Sequence, residues 1–244
     1  MRLRIRLKLA GKRIPVNYRS LIQGFIYQAI GNNEYSQSLH NVGQRLENRP
    51  FKLFVFSEIF GDTQYDSRNH TILFLSNANF EISSFDDELL YRLANFLEQN
   101  DFIVLGKEVI PLLGYEIIDD FIKQEEVLTF KTISPVIINK TENKRPIYLY
   151  PSTLEYHEML INNILKKHFL CFDTPAKDFE IIEIANIKEK KVYFRNIFYI
   201  SYNYEITFKN LTQELIQLIM RTGIGSKNSM GFGMLRYEKG NISL

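Results

Sequence analysis

The 244-residue chain has one cysteine, Cys171, and no tryptophan. A single cysteine forms no intrachain disulfide, so the fold rests on its core, and a cytoplasmic location is expected. Long apolar runs are missing as well. No segment reaches the ~18 consecutive apolar residues that a spanning helix needs, so no membrane insertion is expected. The opening MRLRIRLKLAGKRIPV breaks every apolar step with a charge and does not read as a signal peptide. Histidine is scarce. His40, His70, His157 and His168 show no ligand spacing, and neither H-E-x-x-H nor a Cys-His set occurs. No metal and no other cofactor is expected. Asp86, Asp87 and Glu88 read as acids in the first turn of a helix, where its dipole favours them. There is no G-x-S-x-G nucleophile elbow.

What is present is a globular composition, 45% apolar and 24% charged. The length suits one large domain or two of roughly 120 residues. The net charge of +2 hides a segregation. Residues 1–52 carry ten Lys/Arg against Glu34 and Glu47, a balance of +8, while the remainder stands at −6. A basic N-terminal part of that size points to a polyanionic partner.

Residues 2–9 alternate strictly. Leu3, Ile5, Leu7 and Leu9 share one face of a strand, and Arg2, Arg4, Arg6 and Lys8 share the other. The spacing predicts a helix over 18–30, stopped by Gly31-Asn32-Asn33, and a short second helix over 34–47. Strands are predicted at 51–57 and 71–76 with a hairpin loop at 62–69. A helix follows at 84–99 with Ser84 as its cap, then strands at 102–105 and 108–118. The order is β-α-β-β-α-β. Residues 119–125 read as a boundary. The same order then recurs: a strand at 126–133, a helix at 153–169 capped by Ser152 or Thr153, strands near 179–187 and 192–208, a helix at 211–221 and a strand at 231–238. The expected fold class is α+β, two tandem ferredoxin-like (RRM-like, βαββαβ) domains at 1–122 and 123–244 with a C-terminal glycine-rich loop at 223–233.

That loop holds four of the twelve glycines in eleven residues, GIGSKNSMGFG. Its lysine is misplaced for a P-loop, and Asn228 stands where a dinucleotide fingerprint needs its third glycine. From composition it reads equally as a plain connecting loop or as a phosphate nest, with Lys227, Asn228 and Ser229 adding a cation and polar donors. The segment resembles the glycine-rich signature G-h-G-x-K-N-S-x-G-F-G of the CRISPR-associated repeat-cleaving endoribonucleases, the sixth Cas protein family. The opening strand, IPVNYRSLIQGFIYQAI and FKLFVFS are similar to the family's N-terminal half. The middle, about 120–210, is least distinctive.

The resemblance implies metal-independent cleavage of CRISPR repeat RNA within precursor transcripts. The substrate's 2′-hydroxyl would attack, leaving a 2′,3′-cyclic phosphate and a 5′-hydroxyl. Such chemistry needs a proton carrier, an orienting group and a cation. By spacing alone His40 reads as a surface residue. The resemblance makes it the general acid or base, since SLHNVGQRLENRPFKLFVFS fits the family's catalytic histidine. It likewise turns Lys52 from a solvated strand residue into the stabiliser of phosphorane charge, and Tyr27 from a core aromatic into the group that orients the 2′-hydroxyl. Arg45 and Arg49 would support or replace Lys52. Arg2, Arg4, Gly225, Lys227, Asn228 and Ser229 are the expected RNA contacts. Tyr148, Tyr150, Tyr202 and Tyr204 alternate on strands and offer rings for base stacking, with packing as the default. Two other readings stand beside the nuclease: a member that holds repeat RNA without cutting it, and a structural subunit of a CRISPR effector complex. Expected partners are the repeat RNA, effector-complex subunits and a second copy of the chain.

Overall fold

The structure is a computed structural model that describes residues 1–31, 35, 44–46, 49–119 and 121–238, with the backbone alone at 44–46, 49 and 50. The alternating opening segment forms β1 (Arg2–Leu7), whose Leu3, Ile5 and Leu7 are fully buried. A short strand β2 (Arg13–Pro15) leads into helix α1 (Tyr18–Ala29), which packs Ile22, Phe25 and Ile26 into the same core. Then come a hairpin of β3 (Gln44–Leu46) and β4 (Arg49–Phe51), strand β5 (Phe54–Phe56), a hairpin of β6 (Thr63–Asp66) and β7 (Thr71–Phe74), and strand β8 (Ala78–Ser84). Helix α2 (Asp87–Gln99) closes the core through Leu89, Leu90 and Leu93. Strands β9 (Phe102–Leu105) and β10 (Glu108–Ile118) finish this half. Its sheet runs β5-β8-β1-β10-β9 with every pairing antiparallel.

The second half repeats the plan around a separate core. Strand β11 (Val127–Thr132) precedes a small hairpin of β12 (Asn139–Glu142) and β13 (Arg145–Tyr148). Helix α3 (Leu154–Phe172), the long hairpin of β14 (Glu180–Phe194) and β15 (Ile197–Lys209), helix α4 (Gln213–Thr222) and strand β16 (Leu235–Tyr237) follow. The sheet order is β14-β15-β11-β16, again antiparallel. Thr153 and Thr212 cap their helices by accepting from the amides of Tyr156 and Leu215, each at 3.3 Å. These caps satisfy donors that the first turn leaves open. The fold is thus a mixed α+β arrangement in which, among the described residues, four helices pack on antiparallel sheets. No helix among those residues is long and apolar enough to cross a membrane.

Several local expectations change. The helix predicted over 34–47 gives way at Gln44–Leu46 to a strand paired with Arg49–Phe51. A short helix is marginal in isolation, and here the backbone hydrogen bonds go to the hairpin instead. Residues 63–66 are a paired strand, not loop. The cap of α2 is Asp86, which accepts from the Glu88 amide at 3.0 Å, because Ser84 is still paired with Phe54 at the end of β8. The last strand is only Leu235–Tyr237, since 231–234 continue the glycine-rich turn.

The polar face of β1 is not an open basic stripe. Arg2 is only 2% exposed; its guanidinium donates to Glu81 at 2.9 Å and to the carbonyl of Leu235 at 2.9 Å. Arg4 bridges Glu81 and Glu116, its neighbours on the two flanking strands, at 2.8 and 2.9 Å. Arg236 of β16 completes the cluster at 2.9 Å from Glu81. One buried carboxylate therefore gathers three guanidiniums and fastens β16 to the first sheet. Val55, Ile133 and Met234 pack at the same seam. Arg6 and Lys8 stay exposed.

Burial alone would raise the Glu81 pKa, but Arg2, Arg4 and Arg236 outweigh it and hold it below its ordinary value. Removing the charge leaves Arg2 buried with a weakened partner. Glu81→Gln is expected to destabilise the fold by about 3–5 kcal/mol, the usual range for a broken buried pair, in urea denaturation at pH 7. The wild-type advantage should be complete above the ordinary carboxylate range and fade as pH falls through the lowered native value.

Candidate functional site

Helix α1 carries Arg19, Gln23 and Tyr27 four residues apart, so the three share one face. Arg19 is 2% exposed. It donates to the carbonyl of Gly231, pairs with Glu58 at 2.7 Å and lies 5.2 Å from the Phe232 ring centroid. Gln23 donates its side-chain amide to the Ser229 carbonyl at 2.7 Å. Tyr27 accepts a hydrogen bond from Lys52 Nζ at 2.9 Å and meets Phe54 edge-on. One helix face thus holds the glycine-rich segment at its first half and the Lys52–Tyr27 pair at its second.

Burial pushes the Tyr27 hydroxyl up to about 12. It therefore keeps its proton at neutral pH and acts as a hydrogen-bonding group, not a base. Lys52 is pulled below its ordinary value by burial and then by Arg195. Arg195 is exposed at the tip of the β14–β15 hairpin, in a left-handed turn at φ 52°. Sequence inspection gave no reason to single it out. Its signal is only a cation in a hairpin turn, and the 15-residue reach of β14 brings it to this site.

The glycine-rich segment is organised from within. The Asn228 carboxamide donates to the carbonyls of Ile224 and Phe232, both at 2.9 Å, and accepts from Lys167 Nζ at 2.7 Å. Lys167 also donates to Gly223 O at 2.8 Å. Gly231 sits at φ +85°, where an added Cβ would lie 2.4 Å from the Phe56 ring. Gly233, at φ +82°, would place a Cβ 1.9 Å from the Ile224 carbonyl. Both positions exclude any side chain.

The expected site residues divide accordingly. Tyr27, Lys52 and the glycine-rich segment are brought together by α1. Lys227 lies at the segment's turn, its ammonium 5.1 Å from the Tyr199 ring and its pKa lowered by burial. Ser229 engages Gln23 through its backbone. Gly225 is buried against Val136 and Ile137. Asn228, expected as an RNA contact, is 7% exposed and spends its amide on the loop itself. Arg2 is likewise buried, in the Glu81 cluster, and Arg4 shares that cluster while keeping a third of its side chain exposed. Arg45 and Arg49 lie on the hairpin that immediately precedes Lys52, with only their backbones described. His40 lies outside the described residues. Of the four alternating tyrosines, Tyr202 and Tyr204 are buried and Tyr150 is 49% exposed, edge-on to Tyr202. Sequence reasoning missed Arg19 and Gln23 because their partners are backbone carbonyls more than 200 residues away, at separations of 212 and 206.

Residues 117–237 match the family model described as CRISPR associated protein Cas6, C-terminal. The chain is 28% identical over 238 residues to CRISPR-associated endoribonuclease Cas6 1 of Methanocaldococcus jannaschii, covering 91% of this chain and 86% of that protein. It is 25% identical over 231 residues to CRISPR-associated endoribonuclease Cas6 of Pyrococcus furiosus, covering 93% and 84%. A solved structure titled as a RAMP protein binding different RNA substrates shares the fold with a TM-score of 0.82, at 18% identity over 98% of this chain and 100% of that one. The family model and both relatives agree on one class, CRISPR-associated proteins, and within it this chain is similar to the Cas6 proteins.

Two outcomes follow from the loop's interior. Asn228→Ala leaves the carbonyls of Ile224 and Phe232 without their donor, and should cost about 1–3 kcal/mol per stranded group in thermal or urea denaturation. Burial holds the Lys167 pKa at about 7, against 10.5 ordinarily. Between those values the unfolded chain binds the extra proton, so this group makes stability rise with pH. Lys167→Met should flatten that rise when stability is measured from pH 7 to 10.

Proposed function

We propose that this chain is a metal-independent endoribonuclease that cuts CRISPR repeat RNA in precursor transcripts. Its two halves, 1–122 and 123–244, act as ferredoxin-like domains, a reading supported by their matching element and strand orders. The observation that carries the proposal is the Lys52–Tyr27 contact at 2.9 Å on the helix that also holds the glycine-rich segment. The relatives named as endoribonucleases support the same reaction class.

The reaction forms a bond between the substrate's 2′-oxygen and phosphorus and breaks the bond from phosphorus to the 5′-oxygen. The 2′-hydroxyl gives up a proton, and the departing 5′-oxygen takes one. His40 moves one of these protons, as its ordinary titration range allows near neutral pH. Tyr27 keeps its own proton and orients the nucleophile by hydrogen bonding. Lys52 places positive charge where the phosphorane gathers negative charge, and its partial burial strengthens that effect. Arg195, Arg45, Arg49 and Lys227 bind phosphates along the approach, and the half-buried Ser226 and Ser229 lie against the RNA. Because the nucleophile belongs to the substrate and the charge is met by cations of the chain, the scheme calls for no metal ion.

The test is cleavage of a cognate repeat RNA in EDTA. Wild type should cut, and RNA with one 2′-deoxy nucleotide at the cut should survive. His40→Ala should lose about 10²–10⁴-fold in rate, and Lys52→Ala about 10²–10³-fold. Tyr27→Phe should lose less, since it removes orientation alone. Tight binding without cutting by wild type would favour the RNA-holding reading.

A further inference from the structure

Between the β3–β4 hairpin, the middle of α3 and the glycine-rich segment lies a cavity of about 250 Å³. Its lining includes Phe51, Met159, Asn139, Asn163, Lys166 and Ser226. Phe51 directly precedes Lys52, so one wall of the cavity is the chain neighbour of the Lys52–Tyr27 pair. None of the contacts that organise the glycine-rich segment uses Asn163.

Two features mark it as a ligand site. The Asn163 carboxamide oxygen is buried, yet it accepts no hydrogen bond among the described residues. A buried acceptor left bare is costly, and such exceptions call for a partner that the folded chain does not provide. The rest of the lining pairs an aromatic ring and a thioether with amides and a cation. A ring offers a stacking surface, and a carboxamide offers one donor and one acceptor side by side. That combination reads the edge of a heterocycle carrying an amine next to a ring nitrogen. The volume lies just below the ~300–1,000 Å³ of sites for drug-sized ligands, which suits one base and not an oligonucleotide.

We propose that this cavity receives one amine-bearing nucleobase of the RNA, adenine fitting best, swung out of the strand beside the cut. Rotation of the Asn163 side chain toward the cavity lets the amine donate to Oδ1 and the ring nitrogen accept from Nδ2, and Phe51 packs on the base. Lys166 meets a neighbouring phosphate. This proposal rests on the RNA-processing reading above.

The experiment scans the repeat RNA with single abasic nucleotides against wild type, Asn163→Leu and Phe51→Leu, each variant first checked for an unchanged melting temperature. In wild type, one abasic position should lower affinity or cleavage about 5–100-fold, the range of a stacked and hydrogen-bonded base. Replacing that base by unsubstituted purine, which lacks the amine, should reproduce most of the loss. In Asn163→Leu both changes should become nearly silent, and Phe51→Leu should show a smaller version of the same effect. If wild type handles every abasic RNA like the intact one, the pocket proposal is overturned and the RNA-processing reading stands. If wild type binds no repeat RNA, that reading fails instead. Titration with adenosine monophosphate then decides the pocket: binding that Asn163→Leu abolishes supports a nucleobase site for a free nucleotide, and no binding by wild type overturns it.

Discussion

The carboxamide of Asn228 makes three hydrogen bonds inside the glycine-rich segment, two given to carbonyls of the segment and one taken from the buried ammonium of Lys167. Around that amide the chain turns through left-handed positions at Lys227, Gly231 and Gly233. The turn points the carbonyls of Ser229 and Gly231 at α1, where Gln23 and Arg19 donate to them. Tyr27 lies one helical turn beyond Gln23, so its place relative to the segment is set by the same amide. Much of the site's geometry therefore descends from one buried side chain that is poorly placed to touch a substrate.

The joint between the halves follows another rule. It is ionic where the glycine-rich segment is amide-bonded, and it centres on Glu81. Three guanidiniums on one buried carboxylate leave net positive charge at the seam, which Glu116 offsets in part through Arg4. Such a joint gives orientation as well as attraction, because each arginine is held at a fixed position on its strand. The first sheet and β16 are fixed in register by contacts that a purely apolar seam would not specify.

Much of the plan was legible in the sequence because its signals are local. The strict alternation of residues 2–9 gives the central strand, and the threonine caps and apolar spacing give α3 and α4 within a few residues. The match of GIGSKNSMGFG to a known signature singles out the segment that Arg19 and Gln23 of α1 hold. What local pattern does not carry is partnership across the chain. Arg2 and Arg4 look like a free basic face because Glu81 and Glu116 are far along the sequence. Asn228 looks like a contact residue because its acceptors are backbone carbonyls, which any sequence supplies. Arg195 is invisible for the opposite reason: a cation in a two-residue turn is unremarkable until the hairpin's length delivers it to Lys52. The hairpin at 44–51 defeats periodicity because its segments are too short to show one.

The bonds from Arg19 to Gly231, from Gln23 to Ser229 and from Arg2 to Leu235 span 212, 206 and 233 residues. During synthesis the N-terminal sheet leaves the ribosome long before its partners exist, and domains generally fold as they emerge. Until residues 229–231 are made, Gln23 lacks its acceptor and Arg19 has only Glu58 to hold. The hold of α1 on the glycine-rich segment forms only once residues 223–233 are made. A chain that stops short, or a nascent one still tethered, has the first half's candidate residues in place without the loop that orients them. Synthesis of that loop is thus the step that times the contacts of α1, and a product cut before residue 229 would lack them.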